Sequence, residues 1–254
     1  MSDICCFLFL TVSIPYESDP RSERLCVIIN NKTFEGKGFR HGSDQDAEGL
    51  KRLFKGYLGF VVDYHEDKSA KEIKDLMRQI KDRRNISRCS CLVVIILSHG
   101  HDEEILGTDN KKVSLKAITK CLNGKKCPPL KGKPKVFIVQ ACRGNHENDV
   151  NSDAEASCDT VSLVADSTYT GGVNGINGAD MLIAFATIPD HIAYRNTRNG
   201  SPFIQKFIEI MRKKAHDTHL GDIFTRVNNA VASKGVQMPS IVSQLRRHLY
   251  LRPK

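Results

Sequence analysis

Two residues of this 254-residue chain stand where covalent chemistry is commonly done. Cys142 closes the apolar run KVFIV (135–139) by way of Gln140 and Ala141, and His99 follows the apolar run LVVIIL (92–97). A thiol attacks only as thiolate; a neighbouring imidazole favours that ion and can later protonate a leaving amine. The pair lies 43 residues apart in sequence, so adjacent strands are needed to bring it together. Gly100 follows His99, and without a side chain its backbone N–H can approach a developing oxyanion alongside the N–H of Cys142. On these residues alone a second reading stays open. The chain has nine cysteines, and a cysteine at the end of a buried strand is commonly an inert core residue.

The elements that must position this pair are legible as alternating strands and helices. Six apolar runs read as strands: 25–30, 60–64, 92–97, 135–139, 181–187 and 248–251. Several are apolar at consecutive positions, as strands covered on both faces must be. Between them, a helix is expected from Ser43, with Asp46 three residues on and an apolar stripe through Leu50, Leu53, Phe54 and Tyr57. A second opens at SAKE (69–72), where Ser69 and Glu72 can form a capping box. Further helices are expected at 114–122, 202–215, with Pro202 in the first turn, and 219–233. This order predicts an α/β fold with a six-stranded, mostly parallel sheet and helices on both faces. Functional residues are then expected in loops beyond the carboxyl ends of the strands, which singles out SHG (98–100) and QACRG (140–144).

Composition bounds the rest. The length and 40% hydrophobic content suit one compact domain. A formal charge of +9 suits acidic ligands, but the basic residues are scattered over several helices, so neither nucleic acid nor a membrane is an expected partner. The odd number of cysteines at irregular spacing, without paired CxxC or HxxxH sets, points to free thiols in a reducing, cytoplasmic setting, with no metal or other cofactor. The run ICCFLFLTVSI (4–14) is too short to span a bilayer and reads as a short leader.

The surrounding letters carry more. QACRG with an upstream histidine is a signature of the caspases, and the resemblance extends along the chain. The stretch 25–54 resembles that family's first strand, arginine-bearing loop and first helix. LSHGHDEEILGTD (97–109) resembles its histidine loop, AYRNTRNGSPFIQKF (193–207) its recognition loop, and QMPSIVSQLRRHLYL (237–251) its last strand region. The resemblance implies a caspase-like three-layer sandwich and a cysteine endopeptidase that cuts after aspartate. Cys142 would be the nucleophile and His99 the general acid and base, with Gly100 and Cys142 forming the oxyanion hole. Arg40, Gln140 and Arg195 match the residues lining the family's aspartate pocket, and Tyr194 and Asn196 are the expected contacts for residues upstream. Two guanidiniums suit a carboxylate because they bind it with fixed, bidentate geometry.

By the same resemblance the chain divides into a leader or pro-segment (1–24), a large subunit (25–153), a linker (154–178) and a small subunit (179–254). Asp153, Asp166 and Asp159 are candidate sites for maturation of a zymogen, within an irregular stretch, 145–180, rich in Asn, Asp, Ser and Gly. Expected partners are protein substrates, a second copy of the chain docked through the last strand, an activating caspase and inhibitor proteins. The expected role is in apoptosis or related proteolytic signalling. Two departures stand out: Pro202 replaces a family tryptophan, and the loop at 232–240 is short, which leaves selectivity at the fourth residue upstream of the cut open. The alternative is a catalytically weak homologue that regulates an active caspase by pairing with it, although Cys142, His99, Arg40, Gln140 and Arg195, of which such a decoy commonly loses one, are all present.

Overall fold

The computed structural model describes residues 14–16, 21–144, 178–235 and 237–254. Most of the leader and the candidate cleavage sites Asp153, Asp159 and Asp166 lie outside the described residues, as do both ends of the expected linker apart from residue 178.

The strands are β1 (Glu23–Asn30), β2 (Val61–Glu66), β3 (Cys89–Leu97), β4 (Gly100–His101), β5 (Glu104–Leu106), β6 (Lys112–Ser114), β7 (Lys135–Gln140), β8 (Met181–Phe185) and β9 (Ser240–Ser243). The helices are α1 (Ser43–Lys51), α2 (Ala70–Lys81), α3 (Leu115–Cys121), α4 (Pro202–Lys214) and α5 (Leu220–Ala232). Six strands form one sheet in the order β2-β1-β3-β7-β8-β9. All neighbours are parallel except β9, which runs antiparallel to β8.

Alternation along each strand explains why helices cover both faces. Cys26, Ile28, Val93, Ile95, Val136, Ile138, Leu182 and Ala184 point to one side, where Leu50 of α1, Phe203 and Phe207 of α4 and Phe224 of α5 meet them. Phe207 and Phe224 stack at 5.2 Å. Val27, Ile29, Leu92, Val94, Ile96, Phe137 and Val139 point the other way, against Ile73, Leu76, Met77 and Ile80 of α2 and Ile118 of α3. Burial of each such side chain stabilises the fold by about 1.5–3 kcal/mol, and truncating Phe207 to alanine would cost about 3–5 kcal/mol.

Local signals account for most element ends. The Ser69 hydroxyl accepts from the Glu72 N–H at 3.3 Å while Glu72 accepts from the Ser69 N–H at 2.8 Å, the expected capping box. The first helix departs from expectation after Lys51: residues Arg52–Tyr57 form a π-helical turn, closed by the Leu58 N–H donating to the Leu53 carbonyl. That wider turn lets Leu53, Phe54 and Leu58 all reach the core.

One expectation is corrected, and two features add to what was expected. The sixth strand is β9 at 240–243, not 248–251. That later segment is held outside the sheet, where Leu249 and Leu251 pack into the core and His248 makes an isolated bridge to Pro15. Second, α1 begins at Ser43 as expected, but Gly42 precedes it without a side-chain cap, and Asp46 turns to partners far along the chain. Third, β4, β5 and β6 form a small antiparallel sheet that was not expected. Among the described residues, no helix is long and apolar enough to cross a membrane.

Candidate active site

The register of the sheet sets the site. Asn30 pairs with Leu97 and Leu97 with Gln140, so β1, β3 and β7 end at one level. The ladder continues as Asn31 N–H donates to the Leu97 carbonyl at 2.9 Å and Ser98 N–H to the Gln140 carbonyl at 3.1 Å. His99 and Cys142 each lie two residues past those paired ends, so parallel strands about 4.8 Å apart carry them side by side. Gly100 joins them directly. A Cβ there would stand 2.9 Å from the Ala141 Cβ and 3.1 Å from the Cys142 carbonyl oxygen, so only glycine lets the histidine loop approach the 141–142 backbone this closely.

Cys142 differs in its surroundings from the thiols buried in the sheet. Cys142 is partly exposed, and its sulfur receives the Ala193 N–H at 3.5 Å. By contrast, burial pushes the Cys26, Cys89 and Cys91 thiols up, where they stay inert. His99 is 9% exposed and packs against the edge of the Phe34 ring, centroids 4.7 Å apart.

Beside this pair lies a desolvated cationic pocket. Arg40 is 2% exposed; its Nη1 donates to the Asn31 carbonyl at 2.8 Å, and its buried Nε has no partner. Burial, then the repulsion of Arg195, pushes its guanidinium down to about 9, still charged at neutral pH. Arg195 comes from the loop after β8, donates through Nε to the His41 carbonyl at 2.8 Å, and is likewise lowered by burial. Gln140 is buried, with Nε2 donating to the Tyr194 carbonyl at 3.3 Å and Oε1 unpartnered. Two mutually repelling guanidiniums with an idle buried donor are poised to accept an anion.

Tyr194 is placed by its N–H donating to Gln237 Oε1 at 2.8 Å, while Gln237 Nε2 donates to the Ala186 carbonyl. The Asn196 side-chain oxygen is occupied within its own turn, accepting from Arg198 and Asn199 N–H at 2.9 and 2.8 Å. Pro202 opens α4, so its ring serves the helix start.

Sequence reasoning passed over several positioning groups. Asn31, fully buried, donates to the Lys68 and Leu106 carbonyls at 3.0 and 3.1 Å and accepts from the Lys68 N–H at 2.9 Å, so the carbonyl that holds Arg40 is itself fixed. Arg143 is buried over the Phe185 ring at 4.1 Å and pairs with Glu103 at 3.7 Å, pinning the strand end beneath Cys142. An asparagine directly after a strand is the one signal that pointed to the first; nothing local pointed to the second.

The arrangement can deliver a thiolate to an acyl carbon and hold a carboxylate next to it. Comparison with known proteins shows the family of the whole chain. A family model described as the caspase domain matches residues 23–250. The chain is 34% identical to chicken (Gallus gallus) caspase-7 over 260 residues, covering 96% of this chain and 82% of that one. It is 34% identical to bovine (Bos taurus) caspase-3 and 35% identical to mouse (Mus musculus) caspase-3, each over 255 residues, 92% of this chain and 86% of the relative. With the fold, the family model and these relatives in accord, the chain belongs to the caspase family of cysteine peptidases.

Proposed function

We propose that the protein is an endopeptidase that cuts peptide bonds after aspartate, with Cys142 as nucleophile and His99 as general acid and base. The observation that carries this reading is the convergence, at one end of the sheet, of the Cys142 and His99 strand ends with the buried guanidinium of Arg40 and the half-buried one of Arg195. The Cys142 thiolate attacks the scissile carbonyl, forming a C–S bond as the carbonyl π electrons move to oxygen. The backbone N–H groups of Gly100 and Cys142 receive that oxyanion. Collapse of the adduct expels the amine, which takes its proton from the His99 imidazolium. Water then gives a proton to His99 and attacks the thioester, and the acid product leaves as the thiolate is restored.

Arg40, Arg195 and Gln140 receive the aspartate side chain of the substrate. A neutral asparagine would leave the desolvated Arg40 and its neighbour Arg195 short of an anion, so strong discrimination follows. Tyr194 and Asn196 border the path of the residues upstream.

The same reading makes the chain a zymogen, divided as 1–24, 25–153, 154–178 and 179–254 and matured at Asp153, Asp166 or Asp159. Its mature form pairs with a second copy along the free edge of β9, acts in the cytoplasm on proteins in apoptosis or related signalling, and answers to an activating caspase and to inhibitor proteins. The test is hydrolysis of fluorogenic tetrapeptides ending in Asp, Asn or Glu by the chain and its Cys142→Ala variant, each intact and after a cut within 145–177. Hydrolysis after Asp that vanishes with Cys142→Ala is expected. No hydrolysis of any Asp peptide by either form of the unsubstituted chain would overturn the reading in favour of a catalytically idle partner of other caspases.

A further inference from the structure

Asp46 lies in the first turns of α1, yet its side chain is tied to residues more than 150 positions further along. It is 1% exposed. The Ser201 N–H donates to both carboxylate oxygens at 3.0 Å, the Ser201 hydroxyl to Oδ2 at 2.7 Å, and Gln205 Nε2 to Oδ1 at 2.7 Å. Ser201 occupies the N-cap position of α4, where a hydroxyl ordinarily caps its own helix, but makes no such bond. Its hydroxyl is given to Asp46 instead.

The fit extends to the backbone. Gly200 is in the left-handed region at φ 83°, and a Cβ there would overlap Asp46 Oδ1 and crowd Gln205 Nε2. The loop bearing Arg195 is therefore seated directly on this carboxylate. All its hydrogen-bond donors are neutral, which leaves a buried negative charge that only cations can balance. Arg40 and Arg195 are the cations whose fields reach it. Arg40 comes from the chain before residues 145–177 and Arg195 from the chain after them, so one carboxylate ties together the two halves of the cationic pocket.

We infer that Asp46 is the positioning residue of the acid pocket: it seats the Arg195 loop against the helix that follows Arg40 and supplies one of the two negative charges that two guanidiniums require. The aspartate side chain of the substrate supplies the second. This rests on the peptidase reading above and adds to it the reason one carboxylate, and one only, is admitted. Asp46 touches neither thiol nor scissile bond, so its loss acts on the pocket and leaves the nucleophile as it was.

The test separates those two effects on the full chain, cut within 145–177, and its Asp46→Asn variant. Iodoacetamide alkylation of Cys142, followed by peptide mass mapping, reads the nucleophile without the pocket. Labelling by an acyloxymethyl ketone peptide ending in Asp, against a matched one ending in Asn, reads both. The expected result for Asp46→Asn is an iodoacetamide rate within about twofold and an Asp-peptide rate lower by about 10- to 100-fold, as for removal of a buried hydrogen-bonded charge. Unchanged rates for both reagents, or an equal fall in both, would overturn the inference. If Asp46→Asn does not fold, Gln205→Met, which removes one donor, decides on the same split with about a fivefold loss expected and no split contradicting it. An unsubstituted chain that labels equally with Asp and Asn peptides overturns the peptidase reading, and this one with it; a selective chain whose variants show no split overturns this one alone.

Discussion

Two buried aspartates occupy opposite ends of the same sheet and have opposite fates. At the site end, Asp46 receives only neutral donors, and burial pushes its carboxyl up to about 6 although Gln205, Ser201 and Arg40 pull against it. At the far end, Asp180 receives Arg246 Nε at 2.9 Å, Arg246 Nη2 at 2.7 Å and the Tyr16 hydroxyl at 2.8 Å. Burial pushes it up as well, but the Arg246 fork and Tyr16 outweigh that and hold its carboxyl below the usual range. Lys135 beside it is buried and satisfied by the Leu130 and Lys133 carbonyls at 3.1 and 2.6 Å. Both ends set two cations against one carboxylate, but at the far end Arg246 bonds Asp180 directly and Lys135 is satisfied by carbonyls, whereas at the site end Arg40 keeps a buried Nε without a partner and neither guanidinium donates to Asp46. A closed set fastens the fold; an open one waits for a ligand.

Substitution of Arg40 by methionine at the open end should have the largest effect. Truncating one partner of a buried charge pair costs about 2–5 kcal/mol, so kcat/KM for Asp peptides should fall by at least about 30-fold. An unchanged kcat/KM would break the comparison.

Asp180→Ala should do the converse. Losing the acceptor of Arg246 and Tyr16 should destabilise by about 2 kcal/mol, a drop of about 4–8 °C in calorimetry, with kcat/KM within twofold. A melting temperature unaffected by Asp180→Ala would show that the closed end does not fasten the fold. Arg246→Ala should lower the melting temperature by less, since its side chain is 66% exposed and water replaces part of what it gives.

The smallest effects are in pH dependence, and their signs are opposed. Asp180 has a lowered carboxyl, so its stabilisation is present above about 3.9 and is lost as pH falls through its folded value. The stability gap between the unsubstituted chain and Asp180→Asn should therefore shrink below about pH 4. Asp46 has a raised one, so the folded chain holds its proton more tightly than the unfolded chain does. Relative to Asp46→Asn, the unsubstituted chain should lose stability as pH rises from about 4 to 6 and then level off. Urea titrations across pH 3–8 would measure both; slopes of the same sign would refute the contrast.

Much of this was legible because strands buried on both faces announce themselves as apolar runs and Ser69 with Glu72 marks a helix start. His99, Gly100 and Cys142 could be read from their places after such runs. What escaped has physical reasons. β9, SIVS, is a partly exposed edge strand and carries no buried run, whereas HLYL at 248–251 owes its apolar pattern to Leu249 and Leu251 packing without a strand. Strands of two or three residues, such as β4 and β5, are too short to show a period. Asp46 could be placed near a helix start, but its partners, Ser201 and Gln205, are brought to it only by the fold.

The most direct measurement is the ratio of kcat/KM for two matched tetrapeptides that differ only in Asp or Asn at the cleaved position, on the chain cut within 145–177. A pocket built around the buried Arg40 guanidinium and the half-buried Arg195 predicts a ratio of about 10⁴ in favour of Asp, abolished together with all hydrolysis by Cys142→Ala. A ratio near one, or hydrolysis that survives Cys142→Ala, would contradict the account.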